Sequence, residues 1–235
     1  MKSFRGIHST GLVTCCLLFL APLAARLDAA EPKRGPFTES PRSVRDRAYD
    51  VEHVRLEMRL DWDGEHAQGR AVHRIRPFRP LTEAKFDAED MTVNAVELGT
   101  EATPLEFDHR DDELVVHLDR QYEPHETLEI AIDYEFAKPQ RGMHFVNPDE
   151  REPDQRRVVW TQSEPEYARN WFPCYDAPND RHTSETLITV PKGFFVLSNG
   201  VLDGTTDNDD DTTTYHWSQR QDHVAAVGNE ELPGR

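Results

Sequence analysis

The chain has 235 residues, with 44 acidic against 27 basic side chains and a formal net charge of −17. That length supports one sizeable domain or two small ones. The acidic balance argues against nucleic acid and against anionic membrane surfaces as partners, and it favours solubility. Because the acidic residues are spread along the chain, they read as a solvated surface and not as an acid-lined groove.

Residues 1–30 read as a signal peptide. Lys2 and Arg5 form a positive start, Leu12 to Ala25 an apolar stretch, and Ala29 or Ala30 a small residue for cleavage. The apolar stretch is short and interrupted by Pro22, which disfavours the alternative of an uncleaved anchor. Cleavage would leave a secreted or periplasmic chain with no membrane attachment. Two of the three cysteines, Cys15 and Cys16, lie in this leader, so the mature chain would keep Cys174 and form no internal disulfide. Residues 31–47 are rich in Pro, Arg and Ser without apolar periodicity and read as a linker or arm.

From residue 48 to 223 the pattern is that of short strands. Val54, Leu56, Met58, Leu60 and Trp62 alternate with Arg55, Glu57, Arg59 and Asp61, the period-two signature of a half-buried strand. Asp63-Gly64 offers a hairpin turn, and 67–76 would return with Ala71, His73 and Ile75 on one face. Shorter strands are predicted at Phe86 and Ala88, at 91–98 and at 114–118. A second clean alternation runs from Leu128 to Phe136. Thr186 to Val190 and Phe194 to Leu197 would flank Pro191-Lys192-Gly193. Thr212 to Trp217 would pair with Val201 and Leu202 across the acidic loop 207–211. No amphipathic helix is predicted outside the leader. The fold class is therefore all-β, an open antiparallel sandwich or open barrel. Residues 224–235 form a polar tail with Pro and Gly.

One stretch combines rigidity with aimed polar groups. Val158, Val159 and Trp160 open as a strand, Gln162 and Glu164 follow, and Trp171-Phe172-Pro173-Cys174-Tyr175-Asp176-Ala177-Pro178 closes it with aromatics and fixed φ angles. Gln162 and Glu164, two apart, would share a face of an extended backbone. An amide and a carboxylate aimed together can hold a protonated amine by charge-assisted hydrogen bonds. A solvated turn is the alternative reading of the same two residues. Cys174, between Pro173 and Tyr175 with no base beside it, reads as a packed core residue and not as a nucleophile.

Thr161-Gln162-Ser163-Glu164-Pro165, with Arg169, Trp171 to Asp176 and Pro178, resembles the signature of the aminopeptidase N family of zinc (gluzincin) metallopeptidases. The likeness continues through 183–192 to Val196-Leu197-Ser198-Asn199-Gly200 and thins back to about Tyr49. It covers only the family's N-terminal β-domain, which implies a saddle-like β-sandwich. The resemblance implies that Gln162 and Glu164 bind the free α-amino group of a peptide, the contact that makes these enzymes exopeptidases. It also implies that zinc, the general base and the catalytic tyrosine belong to a following domain.

No residue of this chain is expected to be catalytic or to ligate a metal. Eleven histidines are present without a His-Glu-x-x-His sequence; His125-Glu126 continues Thr127-Leu128-Glu129. Gly142-Met143-His144-Phe145 resembles the family's loop ahead of the Gln162 strand. Asp207, Asp209 and Asp211 mimic the start of a calcium loop, but Thr212 and Ser218 stand where Gly and Glu are needed. The expectation is a truncated N-terminal domain of a secreted zinc aminopeptidase. It would bind peptide N-termini weakly, be inactive alone, and have a separate catalytic domain as its partner. The alternative is a stand-alone extracytoplasmic β-sandwich serving as a binding or interaction module.

Overall fold

Thirteen strands account for most of the described residues, and their order follows the alternation of apolar and polar residues. They are β1 (Tyr49–Asp61), β2 (His66–Pro77), β3 (Leu81–Asp87), β4 (Thr92–Leu98), β5 (Thr103–Pro104), β6 (Phe107–Arg110), β7 (Glu113–Tyr122), β8 (Leu128–Ala137), β9 (Met143–Val146), β10 (Val158–Thr161), β11 (His182–Pro191), β12 (Val201–Asp207) and β13 (Thr212–His223). The structure is a computed structural model that describes residues 46–224. The expected signal peptide, most of the arm and the tail from 225 lie outside the described residues.

Eight strands form one sheet in the order β12-β13-β11-β1-β2-β8-β4-β5. A three-stranded sheet, β3-β7-β6, and the hairpin β9-β10 complete the fold. The molecule is all-β, built as a sandwich of open sheets, as the alternation predicts. Pairing in the large sheet departs from the antiparallel expectation at one place, where β1 and β11 run parallel. The partners are more than a hundred residues apart in sequence, far enough for the crossover that a parallel pair requires.

β1 shows how the pattern becomes packing. Val54, Leu56, Met58 and Trp62 are buried, while Arg55, Arg59 and Asp61 face solvent. A register shift between Val51 and His53 puts Tyr49 and Val51 on the buried side as well. One extra residue reverses the parity of a strand, so the bulge reconciles two apolar runs that alternation alone would set on opposite faces. The inner faces of β2 and β8 contribute Ala67, Ala71, Ile75, Ile130, Ile132, Tyr134 and Phe136, and the small sheet adds Ala84, Phe86, Leu114 and Val116. Across the outer face Arg70 on β2 reaches Asp133 on β8 and Glu97 on β4, each at 2.6 Å.

Two expectations change. Phe194 to Leu197 is not a strand. Gly193, at φ +93°, turns the chain, and Phe194 donates its N–H to Pro191 O and stacks its ring on Trp62 at 4.5 Å. The segment is a loop whose Phe194 and Val196 pack on the core while Phe195 is exposed. The alternation also gave no sign of β5, β6 or β9, which are short or half-exposed. The helical content among the described residues is one 3₁₀ turn, Ala168–Asn170.

Gly69 sits where a side chain cannot. A Cβ there would lie 2.4 Å from the ring of Tyr134, which is 1% exposed and opposite it in the β2–β8 register. We expect Gly69→Ala to destabilise the fold by about 1–3 kcal/mol through overpacking. Urea unfolding of the purified chain checks this, and an unchanged midpoint would show that Tyr134 has room to move.

Candidate functional site

The stretch from β10 onward is held from three sides. Thr161 and Ser163 are buried, and Gln162 and Glu164 are exposed, so the alternation continues past the end of the strand. Gln162 donates its N–H to Gly142 O at 2.8 Å, Trp171 Nε1 donates to Ser163 Oγ at 3.1 Å, and Tyr167 N–H donates to Ser163 O at 2.8 Å. Gly142, at φ +75°, lies where a Cβ would meet Tyr167 O at 2.5 Å. Residues Met143 to Phe145, read from sequence as a loop, form β9 and pair with β10. The peptide bond between Glu164 and Pro165 is cis.

Below this loop the aromatic run is built into the core. Cys174 and Asp87 form an antiparallel bridge, with N–H to O distances of 2.7 and 3.0 Å, which docks the run onto the end of β3. Trp171, Phe172, Cys174 and Tyr175 are all buried. Cys174 is a packed thiol, as expected. Arg169 joins the two parts. Its Nε contacts Asp176 Oδ2 at 3.1 Å, its Nη2 contacts Asp176 O at 3.2 Å, and Asp87 Oδ1 lies 3.7 Å from Nη1. Asp176 returns its N–H to Asp87 Oδ2 at 2.9 Å. Burial pushes the Asp176 carboxyl up, and the Arg169 guanidinium pulls against that shift.

Two histidines of the large sheet are buried, and one of them bonds this segment. His73 Nε2 donates to Pro173 O at 2.9 Å, and burial lowers its pKa to about 4. His182 is lowered to about 3, again chiefly by burial. Both are core histidines held neutral. Asp180, buried beside Arg47, is raised to about 6 by burial, with Arg47 lowering it.

Gln162 and Glu164, the two residues predicted from sequence, are therefore brought to one solvent-facing side of an anchored loop. The Gln162 amide lies 3.5 Å from Glu164 O, and both side chains remain open to a ligand. A carboxylate and an amide oxygen so placed can accept hydrogen bonds from an ammonium group. From sequence, Ser163, Arg169 and Asp176 stood out only within the family signature, with no supporting role given to them, and Asp87 and His73 were not connected with the site. Among the described residues, no three His, Cys, Asp or Glu side chains are arranged to hold a metal ion, so these residues do not fit a zinc site.

Two outcomes test this scaffold. Asp176→Ala takes from Arg169, whose side chain is 15% exposed, its nearest carboxylate and leaves those of Asp87, Glu166 and Asp112 at 3.7, 3.8 and 3.9 Å, and should destabilise by about 1.5–3 kcal/mol in urea unfolding. The second concerns pH. Below pH 6.5 the unfolded chain binds protons on His73 that the folded chain refuses until about pH 4. The stability contributed by neutral His73 is thus present above pH 6.5 and lost as pH falls through that window. His182 acts with the same sign, and Asp180, raised to about 6, acts with the opposite one. His73→Gln should lose less stability on acidification than the parent, and equal losses would show that His73 does not titrate on unfolding.

Comparison with known proteins bears on this geometry. Residues 47–225 match the family described as the peptidase M1 N-terminal domain. Human aminopeptidase B is 25% identical over 171 residues, covering 63% of this chain and 26% of the relative. Leucine aminopeptidase 2 of Vanderwaltozyma polyspora is 21% identical over 198 residues, covering 82% and 30%. The chain thus spans under a third of the length of these relatives. The structure of an M1 zinc metallopeptidase from Deinococcus radiodurans shares the fold, with a TM-score of 0.66, 23% identity, and coverage of 78% of this chain and 42% of that one. A match across most of its length, carried on the strands and the anchored loop described above, shows that this chain belongs to the peptidase M1 family, of which residues 47–225 are the N-terminal domain.

Proposed function

We propose that this chain supplies the amine-recognition half of an extracytoplasmic zinc aminopeptidase, with Gln162 and Glu164 binding the free N-terminus of a peptide. The observation that carries the reading is the exposure of these two side chains on a loop whose intervening residue, Ser163, is buried and accepts a hydrogen bond from Trp171 Nε1. Membership in the M1 family supports the same assignment. Hydrolysis needs an activated water as well as a bound amine. In this reading the zinc belongs to a catalytic domain outside the N-terminal domain, and residues 1–235 on their own recognise without cleaving. An exposed ammonium–carboxylate contact contributes about 0–1 kcal/mol, so affinity for peptides is low until the catalytic domain closes the site. The leader-like first 30 residues support export to the periplasm or the exterior.

The test is hydrolysis of a panel of aminoacyl chromogenic substrates, with zinc content measured on the same sample of the full chain. The expected outcome is neither zinc nor turnover, with turnover restored when a catalytic M1 domain is added and lost again in Glu164→Ala. Turnover by the chain alone would overturn the reading, as would restored activity indifferent to Glu164→Ala.

A further inference from the structure

Trp160 is one of the few large apolar side chains left exposed, at 36%. It lies on β10 directly opposite His144 on β9, and the two rings stack with centroids 4.2 Å apart at 23°. Strand parity places it with the candidate site: Trp160, Gln162 and Glu164 alternate with Val159, Thr161 and Ser163, of which Thr161 and Ser163 are buried. The stacked pair therefore forms an aromatic shelf on the face that carries the amide and the carboxylate. Its base is fixed by the β9–β10 pairing and by the Gln162 N–H bond to Gly142 O. A bare indole face in water, braced by a second ring, is a surface that apolar contact stabilises.

The geometry points to a specificity role: the Trp160–His144 shelf receives the side chain of the peptide's first residue and favours aromatic or large apolar ones. This rests on the reading of Gln162 and Glu164 as the amine site. Side chains two apart on a strand are spaced by roughly 6.5 Å. Gln162 lies at about that spacing from Trp160, so an ammonium accepted by the Gln162 amide oxygen would set its own residue's side chain beside the indole. The second residue of an extended peptide directs its side chain to the opposite face. The occupant is thus the first side chain of a peptide with a free N-terminus.

The test uses the full chain, isotope-labelled, titrated with L-phenylalaninamide, glycinamide and N-acetyl-L-phenylalaninamide. The signals followed are the backbone amides of 160–164 and the indole N–H of Trp160. L-phenylalaninamide should shift the Trp160 indole and bind more tightly than glycinamide by about three- to tenfold. Trp160→Ala should reduce that ratio to about one without weakening glycinamide, and His144→Ala should reduce it in part. Glu164→Ala should weaken both amines. An unchanged ratio in Trp160→Ala overturns the inference while leaving the amine site intact. Equal binding of the acetylated and free amides overturns the amine site, and with it the placement of the first side chain. Silence of residues 160–164 toward all three probes overturns both.

Discussion

The arrangement depends on how one irregular segment is fastened to a sheet. Residues 169–176 have no long strand or helix of their own, so their backbone groups need partners elsewhere. The Asp87–Cys174 bridge supplies a short ladder, and Asp87 also receives the Asp176 N–H. Arg169 closes the arrangement by contacting both the carboxylate and the carbonyl of Asp176. Two carboxylates and one guanidinium removed from water in this way are tolerable only because nearly every polar atom finds a partner. The aromatic rings then seal the space between the large sheet and the loop.

That fastening has a functional consequence. An exposed loop rich in polar residues would be mobile if it rested on its own hydrogen bonds. Here Trp171 reaches from the fastened segment to Ser163, and so fixes the residue between Gln162 and Glu164. Rigid placement of the intervening backbone turns two exposed side chains into a pair with a common direction. His73 belongs to the same support. It bonds Pro173 O from the floor of the core, and burial keeps it neutral in the pH range where an exposed histidine begins to charge. The histidines that made a metal site worth considering from sequence are, in these two cases, part of the packing.

Much of the fold was legible because its strands alternate cleanly. β1, β2 and β8 carry one apolar face each, and a period of two leaves little choice of register once a face is buried. Phe194 to Leu197 misled because four apolar residues suit a strand or a loop that packs on a core, and the stacking of Phe194 on Trp62 is a tertiary contact. The parallel pairing of β1 with β11 left no local trace, since both strands would alternate in the same way with either orientation.

The sequence by itself determined the all-β class and singled out the stretch that carries Gln162 and Glu164, because strand parity and residue chemistry are local properties. Only the tertiary structure decided what holds that stretch still and what stands beside it. Asp87 lies 82 residues before Arg169 and Gly142 twenty before Gln162, and the Trp160–His144 shelf exists only because β9 and β10 pair in one register. Contacts of that kind come from which faces are buried together, a property of the folded chain that no single segment encodes.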